Sequence, residues 1–94
     1  METKPAAAVV ISEQDNVATA TRDVKAGEKV TVRVGGGENE LLVKSEIRFL
    51  HKFALKDIKK GEKVLKYGTV IGEATGDIAQ GEHVHVHNIR SLRG

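Results

Sequence analysis

Nearly the same eight residues occur three times in this chain: DVKAGEKV from Asp23 to Val30, DIKKGEKV from Asp57 to Val64 and DIAQGEHV from Asp77 to Val84. The shared frame is an aspartate, a β-branched residue, two variable positions, Gly-Glu, one variable position and a valine. Gly27, Gly61 and Gly81 suit a turn position with positive φ, the aspartate can hydrogen-bond the turn backbone, and the β-branched residues plug a core. Each copy therefore delivers the chain into a strand. The aspartates stand 34 and 20 residues apart, so the copies form no fixed-period solenoid. One turn device is used three times, which predicts a small all-β fold of short bent strands joined by glycine-containing turns.

The intervening stretches agree. Met1 to Pro5 reads as a loose terminus, Ala6 to Ile11 as a short apolar strand and Ser12 to Asn16 as a polar turn. Val17 to Thr21 alternates Val and Thr against Ala, as a half-buried strand does. Val30, Val32 and Val34 alternate with Thr31 and Arg33 up to Gly35, Gly36 and Gly37, and an apolar run resumes at Leu41 to Val43. This reads as a β-hairpin with a flexible loop. The loop lacks the Gly-Lys-Ser/Thr ending and the following helix of a phosphate cradle. SEIRFLHKFAL, from Ser45 to Leu55, fits a helical turn or a strand, with Ile47, Phe49, Leu50, Phe53 and Leu55 as expected core. Gly68, Gly72 and Gly76 then bracket a strand at Thr69 to Ala74.

The third copy of the device departs from the other two where Lys29 and Lys63 give way to His83, the first histidine of GEHVHVHN. In an extended strand His83, His85 and His87 would share one face, with Val84 and Val86 anchoring the other. Histidine is not a strand former of the Val/Ile/Thr kind, so three in register call for a chemical reason. Metal ligation is one, because a His-x-His pair lies roughly 6.5–7 Å apart at Cα and both rings can converge on one ion. His83 and His87 are about twice as far apart, so one ion takes all three only if the strand bulges. Proton transfer or hydrogen bonding to an anionic substrate is the other. His51, the fourth histidine, lies among apolar residues and is a candidate partner for the strand histidines.

With 94 residues, one proline and ten glycines, the chain reads as one small domain spanning 1–94. So small a domain is marginally stable alone, and a partner subunit, a second domain or a second copy is a natural expectation. The lack of cysteine removes disulfides, thiolate metal sites and cysteine nucleophiles together. METKPAAAVV carries no signal-peptide run and no segment approaches a membrane span, so a cytoplasmic chain is expected. A net charge of +2 and 3% aromatic residues argue against nucleic acid. The lysines from Lys52 to Lys66 form a basic stretch suited to a solvated face or to attracting an anionic substrate, with Lys66 and Tyr67 best placed for a specific role.

HKFALKDIKKGEKVLKYGTVIGEATGDIAQGEHVHVHN, from His51 to Asn88, resembles the small SAF-type domain that opens altronate and galactarate dehydratases, and DNVATATRDVKAGEKV, from Asp15 to Val30, resembles that family's opening. The order HKFAL, KYG, IG, VHVHN is what makes the match specific. The resemblance implies a β-clip fold and a share in dehydrating sugar acids, as a small subunit or N-terminal domain that is not active alone. It also implies a large catalytic subunit or C-terminal catalytic domain as partner, and a divalent metal, iron(II), bound in the assembled enzyme. The similarly divided sulfolactate sulfo-lyase is an alternative, as is a SAF-fold module that binds a ligand or partner without chemistry. Carried over by motif, His85, His87 and Asn88 are expected to be catalytic, His51, Lys66 and Tyr67 to bind substrate, and His83, His85 and His87 to hold metal. Leu50 departs from the pattern, which expects glycine before the histidine of HKFAL.

Overall fold

The structure, a computed structural model, describes residues 7–91 apart from 11, 13, 35 and 36. The expectations for Met1 to Pro5 and for Gly35 and Gly36 lie outside the described residues. Within them the fold is all-β: β1 (Ala8–Val10), β2 (Val17–Ala20), β3 (Lys29–Val34), β4 (Gly37–Leu42), β5 (Lys52–Ala54), β6 (Lys63–Lys66), β7 (Thr69–Ala74), β8 (His83–Val84) and β9 (Ile89–Ser91). Six form a sheet in the order β4-β3-β1-β2-β5-β8, and three form another in the order β6-β7-β9. Only β1 and β3 run parallel. No helix among the described residues is long and apolar enough to cross a membrane.

The repeated device folds identically each time. Gly27, Gly61 and Gly81 have φ of 86, 88 and 87°. A side chain makes that left-handed region costly by about 1–2 kcal/mol. The next residue closes the turn, as the Lys25, Lys59 and Ala79 N–H groups donate to the carboxylates of Glu28, Glu62 and Glu82. Asp57 accepts from Gln80 N–H and Asp77 from Lys60 N–H, so the second and third copies brace each other. The glycine N–H and glutamate C=O then clasp one residue of a neighbouring segment: Val43, Ala74 and Ala54 for the three copies in turn.

A fourth copy is present that the sequence frame hides. Glu46 to Phe53, EIRFLHKF, makes the same turn with Leu50 in the glycine position at φ 71°. Leu50 N–H and His51 C=O clasp Ala20, both at 2.9 Å, and Asp23 accepts from Phe49 N–H at 2.7 Å. Only the leading acid, the β-branched residue and the apolar end survive in the sequence. The four copies pair off through bridges between Val24 and Ile47 and between Ile58 and Ile78. Each pair flanks one hairpin, β3-β4 or β6-β7.

Two cores follow from the two pairs. Val24 and Ile47 are buried with Val32, Val43 and Phe53, whereas Ile58 and Ile78 are buried with Val17, Val64 and Val84. The pairs meet where β5 runs antiparallel to β8, with Lys52 opposite Val84 and Phe53 opposite His83. Phe49 and Leu50, expected in the core, are instead 56% and 63% exposed. They occupy the tip of the fourth turn, which is exposed as in the first two copies, whereas the third is covered at Gly81 by Leu42 and Lys44.

Candidate functional site

The seam between β5 and β8 carries the histidines. His51 leads into β5 from the fourth turn, in the position where the other three copies place their turn-closing glutamate. An imidazole in that position is free to face across the seam, and Nδ1 of His51 lies 2.9 Å from Nε2 of His83. One ring must donate and the other accept, so the two cannot both be fully protonated while the bond persists. The ring centroids of His51 lie 5.1 Å from His83 and 4.7 Å from His85, nearly parallel in both cases. His83 and His85 are 5.4 Å apart, and the exposed His87 ring lies 5.3 Å from His83 at a tilt of 32°.

The extended strand expected for His83 to His87 is not what brings these rings together. β8 ends at Val84, and Val86, expected as an anchor, is 80% exposed. Asn88 is the physical reason. Its side-chain oxygen accepts from His85 N–H at 2.9 Å and its amide donates to His83 C=O at 2.8 Å, while its own N–H donates to His85 C=O. This knot curls the chain back after Val84 and sets His85 and His87 around His83. Asn88 thereby spends its amide on the backbone, which makes it a positioning residue in this structure.

Nitrogens of His51, His83 and His85 all lie within 4.8 Å of one another. Two imidazole nitrogens on one tetrahedral ion lie about 3.4 Å apart, from metal–nitrogen bonds of about 2.1 Å. The three fit a divalent metal once their separations, 4.8 Å or less, close by up to about 1.4 Å, which side-chain rotation can share among them. The expected set named His87 in place of His51; the geometric group takes in His51 and leaves His87 beside it. Lys66 and Tyr67 stand at the β6-β7 turn, held by Asp15, whose carboxylate accepts the Tyr67 and Gly68 N–H groups. Lys66 Nζ lies 5.1 Å from the Tyr67 ring centroid. Among the described residues neither makes a hydrogen bond or ring contact with the imidazoles.

Electrostatics favour the neutral form of His83 and His85. Burial lowers the pKa of His83, followed by the charges of His51, His87, His85 and Lys52. His85 is lowered by burial and then by His51, Lys52 and His87. Among the described residues no carboxylate figures in the shift of either ring. Lys52, which the sequence offered only as one member of the basic stretch, is itself held below its ordinary value by burial and then by Lys66. Its adjacency to His51 was the available signal. The result is a site rich in nitrogen lone pairs and bordered by cations, suited to a metal ion and to an anionic ligand beside it.

A pH dependence follows with a definite sign. An unfolded histidine titrates near pH 6.5. Above that value both states are neutral and His83 contributes nothing. As pH falls below about 6.5 the unfolded chain takes up a proton that the folded chain resists, so stability falls until the lower folded pKa is passed. Thermal midpoints should drop between pH 7.5 and pH 5, and His83→Gln should reduce the drop. An unchanged pH profile in that variant would assign the loss to other groups.

Residues 6–92 match the family model described as altronate/galactarate dehydratase SAF domain. Altronate dehydratase of Bacillus subtilis is 42% identical over 83 residues, covering 88% of this chain and 16% of the relative. The Escherichia coli altronate dehydratase is 46% identical over 77 residues, covering 82% and 15%. The (2R)-sulfolactate sulfo-lyase subunit alpha of Chromohalobacter salexigens is 42% identical over 72 residues, covering 74% of this chain and 77% of the relative. The chain thus spans about a sixth of the altronate dehydratases and most of the sulfo-lyase subunit. A family match over nearly the whole chain, joined to an all-β fold with its histidines gathered on one seam, makes this chain a member of the altronate/galactarate dehydratase SAF domain family.

Proposed function

We propose that this chain is the small component of a hydroxy-acid lyase, inactive alone, which brings its histidine seam to a catalytic portion supplied as a second subunit or a further domain. The observation that carries the reading is the convergence of His51, His83 and His85 from two turns onto one point. The reaction is an elimination: a proton leaves the carbon beside a carboxylate, the bond from the next carbon to its hydroxyl breaks, and the departing hydroxide is protonated to water. His51, His83 and His85 would hold a divalent metal, iron(II). When bound it would supply Lewis acidity for the negative charge that builds on the substrate carboxylate.

The remaining groups have duties their positions suggest. His87, exposed and outside the three-nitrogen group, is placed to move a proton. Asn88 holds His85 and His87 in place, and Lys52 with Lys66 attracts the anionic substrate. The substrate class is a sugar acid such as altronate or galactarate. The similarity to the sulfo-lyase subunit makes sulfolactate the second candidate, with sulfite leaving in place of hydroxide.

The test is reconstitution. The chain and its catalytic portion, separately and together, are assayed on a panel of sugar acids and sulfolactate, with and without iron(II). Turnover by the combination alone, on one of these acids and dependent on iron, is the expected result. Turnover by the catalytic portion without this chain would remove the proposed role.

A further inference from the structure

We infer that Phe49, Leu50 and Val86 form the surface on which the catalytic portion docks, an inference that rests on the function proposed above. Phe49 and Leu50 immediately precede His51, and Val86 lies between His85 and His87. All three are large, apolar and more than half exposed. The 4.7 Å separation of the His51 and His85 rings brings the two segments to one rim around the imidazoles. Isolated exposed apolar residues are ordinary, but an apolar rim around a polar site marks a contact.

Leu50 supplies an independent argument. Three copies of the turn place glycine at this position and the fourth places leucine in the same left-handed backbone. The side chain is 63% exposed, so packing within this chain does not offset the backbone cost. Glycine would serve this fold better. What the leucine adds at that backbone cost is an apolar side chain presented outward. Tyr67 repeats the pattern with φ 56° and 58% exposure, and these two are the non-glycine residues with positive φ among those described.

The occupant follows from the lengths and from the chemistry. The chain matches only 16% and 15% of the altronate dehydratases, so most of such an enzyme lies outside it. His87 is exposed and His51, His83 and His85 are only half-buried by this chain, and elimination chemistry gains from a site closed to water. An apolar rim pressed against the catalytic portion closes it. Beside Phe49 the cation Arg48 is accompanied by Asp23 and Glu46, whereas Lys52 acts on His83 and His85 and Lys66 acts on Lys52, so the complementary surface is apolar with acidic groups on the lysine side.

The absence of cysteine from this chain gives a direct test. Leu50→Cys and Val86→Cys are compared with Val9→Cys, which lies on β1, three strands from β8 in the sheet order, and is 44% exposed. Each is assembled with the catalytic portion and treated with a maleimide, and labelling of each peptide is followed by mass. The rim thiols should label at least tenfold more slowly than the control thiol. Equal rates at both rim positions would overturn the docking surface, and the lyase reading would survive if the wild-type assembly turns over a hydroxy acid. Slow labelling with no turnover on any hydroxy acid would keep the surface and discard the lyase reading.

Discussion

His83→Ala in the assembled enzyme should lower turnover by about 10²- to 10⁴-fold, the span usual for loss of a group that holds or moves charge in the transition state. His83 is the hub of the site: it shares a hydrogen bond with His51 and a ring contact with His51, His85 and His87. Its side chain is half-buried, and its backbone pairing with Phe53 does not depend on the ring. The fold should therefore persist, as judged by an unchanged far-ultraviolet spectrum and a cooperative melt. Bound iron should fall with the activity. His87→Ala should separate the two duties, since it lies outside the three-nitrogen group: iron content stays and turnover drops. Equal iron loss in both variants would place His87 among the ligands, and wild-type turnover in His83→Ala would remove the seam from the reaction.

Gly81→Ala should be the most destabilising glycine-to-alanine change among the described residues. Its φ of 87° already disfavours a side chain, and a Cβ there would run into the carbonyl of Leu42 and crowd the Lys44 nitrogen. Gly27 has nearly the same φ, but a Cβ there meets nothing within 4 Å. Backbone strain alone predicts about 1–2 kcal/mol for Gly27→Ala. The collision adds to this for Gly81→Ala, giving about 3–4 kcal/mol, because both obstacles are backbone and neither can rotate aside. At roughly 4–8 °C per kcal/mol for a domain of this size, the melts should differ by at least about 4 °C. Equal midpoints would mean that β4 yields to the methyl group. Since Gly81 precedes His83 by two residues, the variant should lose activity as well.

The turns were legible in the sequence because glycine and glutamate at fixed spacing have a local physical cause. Gly27, Gly61 and Gly81 all take the positive φ that the frame requires, and Thr69 to Ala74 is a strand with the expected ends. The fourth turn was hidden because Leu50 and His51 replace the two residues that make the frame readable. Its cause is tertiary: a clasp on Ala20 and a brace from Asp23, neither of which leaves a local mark. Within the site, the His83 to His87 alternation pointed to residues whose rings do gather, but through a conformation the chain does not adopt. Strand periodicity put the rings on one face, whereas a turn knotted by Asn88 gathers them. That His51 completes the group depended on β5 pairing with β8, a contact between segments some thirty residues apart.

The short β8 has a consequence for how the protein fails. Two residues long, it is the outermost strand of its sheet and supplies His83, while His51 arrives from the adjoining β5. The two residues of β8 have opposite duties: Val84 is fully buried in the second core, while His83 faces the seam. Parting His83 from His51 by peeling β8 therefore draws Val84 out of that core, and the separation costs about as much as opening it. On warming, the histidine seam should come apart together with the second core rather than ahead of it, so that loss of function and the melt of that core share one midpoint.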